Sequence, residues 1–147
     1  MKNMIKNWLA ILFLMFLVET GSSFKIQNNI NKKEAIHLAE QFIIDNGYTT
    51  LPANKSNISY ELFDRYESNL DSLLHNRYNS FHPESFCISE DVDRWEIGFL
   101  SSGVDLDKPD SLERLSDLPG QAVIVMKNGN EIRMAHKQPA FSKFKKL

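Results

Sequence analysis

The chain has 147 residues and a formal net charge of −2, a balance that argues against nucleic acid as a partner. Its single cysteine, Cys87, excludes an intramolecular disulfide, so stability must come from an apolar core. Cys87 lies in the apolar stretch Ser85 to Ser89, which predicts a small buried side chain and not a reactive thiol.

The N-terminus has the layout of a secretory signal peptide. Lys2 and Lys6 precede an apolar run of 11 residues, Trp8 to Val18, and small residues follow it. A membrane-spanning helix needs about 20 apolar residues, so the run predicts a cleavable signal and no stable membrane anchor. We interpret residues 1–23 as the signal and residues 24–147 as one soluble periplasmic or secreted domain.

Three features predict the first helix of the mature chain: a capping residue, apolar residues at helical spacing and a terminating glycine. Asn31 can cap free backbone N–H groups, and Glu34 stands three residues later, as in a capping box. Gly47 supplies a left-handed stop. Between them apolar residues recur at helical spacing: Ala35, Leu38, Ala39, Phe42 and Ile43.

The segment from Tyr60 to Tyr78 also follows the helical period and predicts one or two helices, with a break near Ser68 and Asn69. Short apolar runs then predict strands, and Asn128-Gly129 predicts a tight hairpin between the last two. The predicted strands are Ser85 to Ser89, Trp95 to Ser101, Gln121 to Lys127 and Glu131 to His136.

This order of elements predicts an α+β fold, with N-terminal helices packed on one face of a curved antiparallel sheet. Alternation along the second strand places Trp95, Ile97 and Phe99 toward the core, and Glu96 and Gly98 on the other face.

Catalytic motifs are missing from the sequence. It has no Gly-rich phosphate loop, no nucleophile elbow and no helical pair of zinc-binding histidines. Glu90, Asp91 and Asp93 lie close together, but polar neighbours predict a solvated turn and no acid-base site. We therefore expect a protein that is not an enzyme and that has no catalytic, cofactor-binding or metal-binding residues.

Charge is distributed unevenly along the chain. The stretch from Glu84 to Asp117 holds ten acidic and three basic residues, whereas the chain from Lys127 onward holds six basic residues and one acidic residue. This pattern is typical of solvated loops and a frayed tail, or of an acidic face that attracts a basic partner. The candidate partner-binding residues are Glu90, Asp91, Asp93, Asp105, Asp107 and Asp110.

Four segments carry a resemblance to a known family: EAIHLAEQFIIDNGYTTLP (Glu34 to Pro52), YELFD (Tyr60 to Asp64), WEIGFL (Trp95 to Leu100) and VIVMKNGNEIRMAH (Val123 to His136). Over residues 31–137 the chain resembles bacterial immunity proteins with a nuclear transport factor two-like fold, which neutralise toxins of polymorphic toxin systems. The resemblance implies a cone of curved antiparallel sheet around helices. It also implies stoichiometric binding of a cognate toxin, encoded next to the chain, without catalysis and without a cofactor.

A second hypothesis stays open on the residues alone. It is a small exported ligand-binding or enzymatic α+β module that uses a cavity between helices and sheet. Polar groups converging on that cavity would favour this second hypothesis.

Overall fold

The computed structural model of the protein describes residues 29–65, 67, 69–107 and 118–147. The predicted signal peptide, residues 1–23, lies outside the described residues. Within them, two α-helices precede five strands. The elements in chain order are α1 (Lys32–Asp45), a 3-10 helix (Leu62–Asp64), α2 (Leu70–Arg77), β1 (Cys87–Glu90), β2 (Arg94–Leu100), β3 (Gly120–Met126), β4 (Ile132–Met134), a second 3-10 helix (Phe141–Lys143) and β5 (Lys145–Lys146).

The five strands form one antiparallel sheet in the order β4-β3-β2-β1-β5. The sheet is open, with β4 and β5 at its edges. Its long central pair is β2 and β3, which pair in register from Arg94 opposite Met126 to Leu100 opposite Gly120. The predicted α+β class is therefore confirmed.

The predicted start and stop of α1 are confirmed. The Asn31 side-chain oxygen accepts a hydrogen bond from the Glu34 backbone N–H at 3.0 Å, which satisfies one free donor of the first turn. Gly47 has a φ of 79°, a left-handed conformation that glycine adopts without a steric cost. Its N–H and that of Tyr48 close the helix end on the carbonyls of Ile44 and Ile43.

The position of the helices departs from the prediction, because they are not N-terminal. Residues 29–31 precede α1 in a non-helical conformation. The Ile30 backbone N–H donates to the Lys127 carbonyl at 2.8 Å, and the Ile30 carbonyl accepts from the Trp95 indole N–H at 2.9 Å. These two bonds tie Ile30 to the sheet just before the Asn31 cap.

The break predicted in the second helical segment is confirmed at Asn69, whose side chain caps α2 by accepting from the Ser72 N–H at 2.9 Å. The preceding 3-10 helix forms the other piece. Within α2, Leu73 is buried. Leu74 lies against Gly47, since a Cβ atom built at position 47 would come within 2.7 Å of Leu74 Cδ2. The second helix therefore packs against the C-terminal end of α1.

The hairpin predicted at Asn128-Gly129 joins β3 to β4. Gly129 has a φ of 74°, and its N–H donates to the Met126 carbonyl at 2.9 Å. The Asn128 side chain accepts from the Asn130 N–H at 3.0 Å, which stabilises the turn locally.

The main core lies between α1 and one face of the sheet, where α1 packs against β2, β3 and β4. The predicted inward set of β2 is confirmed, since Trp95, Ile97 and Phe99 all belong to this core. This core also contains the fully buried residues Ala35, Ala39, Ile43, Val123, Val125 and Met134.

The opposite face of the sheet is also covered, which corrects the expectation of a frayed tail. Phe141 and Phe144 are buried there against Cys87, with Phe86 beside them. The Cys87 and Phe141 side chains fill the space next to Gly98. A Cβ atom built at position 98 would lie 2.5 Å from the Cys87 sulfur and 2.8 Å from the Phe141 ring. The C-terminal segment is therefore a structural part of the domain.

Candidate protein-binding site

The five acidic candidates that the structure describes lie in two groups. Glu90, Asp91 and Asp93 are at the turn between β1 and β2, whereas Asp105 and Asp107 follow the opposite end of β2. A strand of seven residues separates the two groups by about 20 Å. Asp110 lies outside the described residues. The described candidates are therefore placed at opposite ends of β2, and their role in binding a partner stays a prediction.

Hydrogen bonds and ion pairs connect the turn of residues 90–93, the acidic turn, to the neighbouring strands. The Asp91 N–H donates to the Arg94 carbonyl and the Lys127 N–H to the Asp93 carbonyl, both at 2.9 Å. Ion pairs hold its flanks, with Lys127 Nζ 2.7 Å from Glu90 and Arg94 3.1 Å from Asp91. The acidic turn is thus fixed to β2 and β3 by backbone and side-chain contacts.

Val92 stands at the tip of this turn and is 90% exposed. Exposed carboxylates flank it on both sides, at Asp91 and Asp93. Arg94 lies below the tip and forms ion pairs with Asp91 and Glu96. Its hydrogen bond to Glu96 raises the pKa of the guanidinium above its usual range. The tip therefore presents one apolar side chain between two acids.

A groove opens beside the acidic turn, and we call it the lysine groove. It has a volume of about 380 Å³ and is lined by Lys32 at the start of α1 and by Lys143 and Lys145 of the C-terminal segment. Ile88 and Trp95 form its apolar floor. The basic tail and the acidic turn therefore lie at the same end of the sheet.

A second polar site is buried where α2 meets the end of α1. Arg77 is 3% exposed and forms an ion pair with the Asp64 carboxylate, which is 6% exposed. The Arg77 guanidinium also donates to the Ser59 carbonyl at 2.7 Å and to the Asn46 carbonyl at 3.2 Å. Arg77 therefore joins three separate segments of the chain.

We call Arg77, Asp64 and Tyr48 the Arg77 cluster, since the Arg77 guanidinium carbon also lies 4.6 Å from the centroid of the Tyr48 ring. The cluster borders a cavity of about 260 Å³. Within the described part of the chain, two buried side-chain polar atoms have no hydrogen-bond partner, and both belong to the cluster: the Tyr48 hydroxyl oxygen and Arg77 Nε. Burial raises the pKa of the Tyr48 hydroxyl far above its usual range, and the nearby Arg77 charge only partly opposes this. The hydroxyl is therefore protonated at neutral pH. Sequence reasoning did not predict this cluster.

Groups able to do chemistry are sparse in residues 29–65, 67, 69–107 and 118–147. They contain no group of three or more histidine, cysteine or acidic side chains that could hold a metal ion. Cys87 is fully buried, and burial raises the pKa of its thiol to about 12. The thiolate needed for nucleophilic attack is therefore not populated at neutral pH.

The helices of the described segments fall short of the length and apolar character that crossing a bilayer requires.

Comparisons of the chain with known protein families, with curated protein sequences and with solved structures found no match. Arguments about function therefore depend on the geometry of the domain itself.

Proposed function

We propose that the chain is an exported immunity protein that binds and neutralises a cognate bacterial toxin without catalysis. The observation that carries this proposal is the acidic turn, where Val92 is 90% exposed between two acids on a tip held by backbone hydrogen bonds. We also propose that the domain has the cone-shaped fold of nuclear transport factor two-like proteins. The packing of α1 across three strands of an open antiparallel sheet supports it.

A tip of this kind suits protein recognition for two physical reasons. Backbone hydrogen bonds restrict the turn before binding, so it loses less conformational entropy and more of the contact energy appears as affinity. An apolar side chain between charges also matches the usual arrangement of interfaces, in which an apolar centre is surrounded by a polar rim. The carboxylates of Asp91 and Asp93 steer a basic partner toward Val92.

Charge reversal at the acidic turn tests which group of acids contacts the toxin. We expect Asp91→Lys/Asp93→Lys to slow association about tenfold at low salt and to reduce protection of a toxin-exposed strain. The matched control is Asp105→Lys/Asp107→Lys, which makes the same charge change at the opposite end of β2. Stopped-flow association rates and survival counts measure both.

The outcomes of this experiment are distinct. If only the control reversal reduces protection, the toxin docks at the other end of β2. If neither reversal matters while gene deletion abolishes protection, the acids are solvated and the immunity function stands. If deletion itself changes nothing, the immunity function is wrong.

Export is a separate part of the proposal, with no membrane anchor in the mature protein. We expect N-terminal sequencing of protein from the periplasmic or secreted fraction to begin at Phe24, because the signal would be cleaved after Ser23. Recovery of a chain that begins at Met1 in the membrane pellet would contradict it.

A second candidate function is supported by the Arg77 cluster. Two buried atoms without partners beside a cavity favour a small polar ligand that completes their hydrogen bonds. Native mass spectrometry of protein purified without denaturant distinguishes the two functions. A bound small molecule that is lost in Tyr48→Phe would support the ligand-binding function, whereas the bare mass of the chain would favour the immunity function.

A further inference from the structure

The lysine groove gathers positive charge from parts of the chain that are far apart in sequence. Lys32 comes from the first turn of α1, whereas Lys143 and Lys145 come from the last seven residues. All three line one cavity over a floor of Ile88 and Trp95. A folded contact between the two ends of the described chain therefore creates this surface.

The charge of the groove is not balanced by its surroundings. Among the described residues, no carboxylate lies within ion-pair distance of the Lys32, Lys143 or Lys145 ammonium groups. Glu90 also lines the groove, but it is bound to Lys127, which adds a fourth ammonium 4.9 Å from the Trp95 ring centroid. The groove therefore has a net positive charge although the whole chain is negative.

The lining of the groove includes two residues of β1 that lie beyond the end of β5. β5 pairs only with Cys87 and Ile88, while β1 continues through Ser89 to Glu90, and both of these residues line the groove. An extended segment can therefore enter beside β1 in the manner of an added strand.

We propose that the lysine groove binds an extended acidic segment of a protein partner. The proposal rests on the proposed function, since it assumes that the chain works by binding another protein, and it adds a second contact to the acidic turn. Carboxylates of the segment lie against Lys32, Lys143 and Lys145. The volume of about 380 Å³ is near the small end for binding sites, so a few residues fill it.

Two other anionic partners fit the groove less well. A lipid bilayer is bound by apolar side chains that protrude into it, whereas Ile88 and Trp95 form a recessed floor and are 5% and 9% exposed. A nucleic acid carries continuous negative charge along its length, and it would meet the carboxylates of Asp91 and Asp93 next to the groove. A short acidic peptide avoids both conflicts.

The probe is a fluorescein-labelled peptide, acetyl-Glu-Leu-Asp-Leu-Glu, added to the mature protein at low ionic strength. Fluorescence anisotropy is expected to report saturable binding that weakens as salt is added, because exposed charges are screened. The matched peptide, in which glutamine and asparagine replace the acids, is expected to bind at least tenfold more weakly.

The sharpest variant is Lys32→Glu, with Lys33→Glu as its control. Both positions are exposed and lie in the first turn of α1, where an acidic side chain favours the helix dipole, so neither change lowers the melting temperature. Only Lys32 lines the groove. We expect Lys32→Glu to weaken peptide binding about tenfold and Lys33→Glu to weaken it far less.

A second pair of variants tests the C-terminal wall. Lys143→Glu/Lys145→Glu is compared with Lys55→Glu/Lys137→Glu, which makes the same charge change at exposed positions that do not line the groove. The first double variant is expected to abolish measurable peptide binding, and the second to retain it. Thermal melting of each variant checks that the fold is intact.

Three results would overturn the inference. Equal weakening by Lys33→Glu would show that only net charge matters, and equal binding of the amide peptide would show that the carboxylates do not matter. Binding of phosphatidylserine vesicles, lost in Lys32→Glu while the peptide does not bind, would show that the groove recognises lipid. Each result leaves the toxin-protection assay unaffected, so failure here is distinguishable from failure of the proposed function.

Discussion

Replacing Arg77 with methionine is expected to lower the free energy of unfolding by about 3–5 kcal/mol, the usual cost of removing one partner from a buried ion pair. Methionine keeps much of the length of the side chain, so the loss is one of charge and hydrogen bonds. Chemical denaturation followed by tryptophan fluorescence measures the change.

The size of this effect depends on the buried groups that lose their partner when Arg77 is replaced. The Asp64 carboxylate is 6% exposed and would lose its cation, keeping the Glu61 N–H at 2.8 Å as a donor. The carbonyls of Ser59 and Asn46 would lose the donors that Arg77 supplies. A buried charge with too few partners is the main source of the cost.

An exposed ion pair in the same domain provides the control. Lys55 lies 3.6 Å from Asp71, with the two side chains 65% and 90% exposed. Lys55→Met is expected to cost less than about 1 kcal/mol, because water screens such pairs. The double variant Arg77→Met/Asp64→Leu is expected to recover part of the lost stability, since it also removes the stranded carboxylate. Equal costs for Arg77→Met and Lys55→Met would contradict the account of the cluster.

Replacing Trp95 with alanine is expected to cost about 3–5 kcal/mol, because it leaves a large cavity in the main core. Trp95 packs with the residues of α1 and is 9% exposed. Its indole N–H also donates to the Ile30 carbonyl at 2.9 Å, so the same change releases the segment that precedes α1. Chemical denaturation monitored by circular dichroism measures it.

Two further variants separate packing from hydrogen bonding. Trp95→Phe keeps an aromatic ring but leaves the Ile30 carbonyl without its donor, and is expected to cost about 1–3 kcal/mol. Val92→Ala removes an apolar side chain that is almost fully exposed, and is expected to change stability by less than about 0.5 kcal/mol. A small cost for Trp95→Ala, similar to that of Val92→Ala, would show that Trp95 is not part of the core.

Local signals predicted the elements that depend on neighbouring residues. The Asn31 cap, the apolar spacing and Gly47 delimit α1, and Asn128-Gly129 gives the β3-β4 hairpin, because each acts within a few residues of itself. The alternation of Trp95, Ile97 and Phe99 likewise predicted which side of β2 faces the core.

Contacts between distant segments were not predictable in this way. Arg77 meets Asn46 across 31 positions of the chain, and Glu61 accepts from the Met134 N–H across 73. No local period encodes such pairs. The only local indication of the buried contact is that Arg77 continues the helical spacing of the apolar residues of α2. An arginine at such a position is equally typical of a solvated helix face.

The C-terminal segment differs from its sequence-based prediction for a related reason. Its lysines suggested a solvated tail, while Phe141 and Phe144 bury themselves against the sheet face that carries Cys87. Two aromatic residues three positions apart were the available signal. Their packing places Lys143 and Lys145 at the lysine groove, so the basic end of the chain becomes part of the candidate binding surface.

The proposed mode of action is stoichiometric binding of a cognate toxin. Isothermal titration of the mature protein into the proposed toxin tests this most directly, with toxin activity followed in the same samples. We predict a one-to-one complex and loss of toxin activity that is complete at equimolar protein. Inactivation of many toxin molecules by each copy of the protein, or the absence of any complex with a toxin from which the gene protects, would contradict the claim.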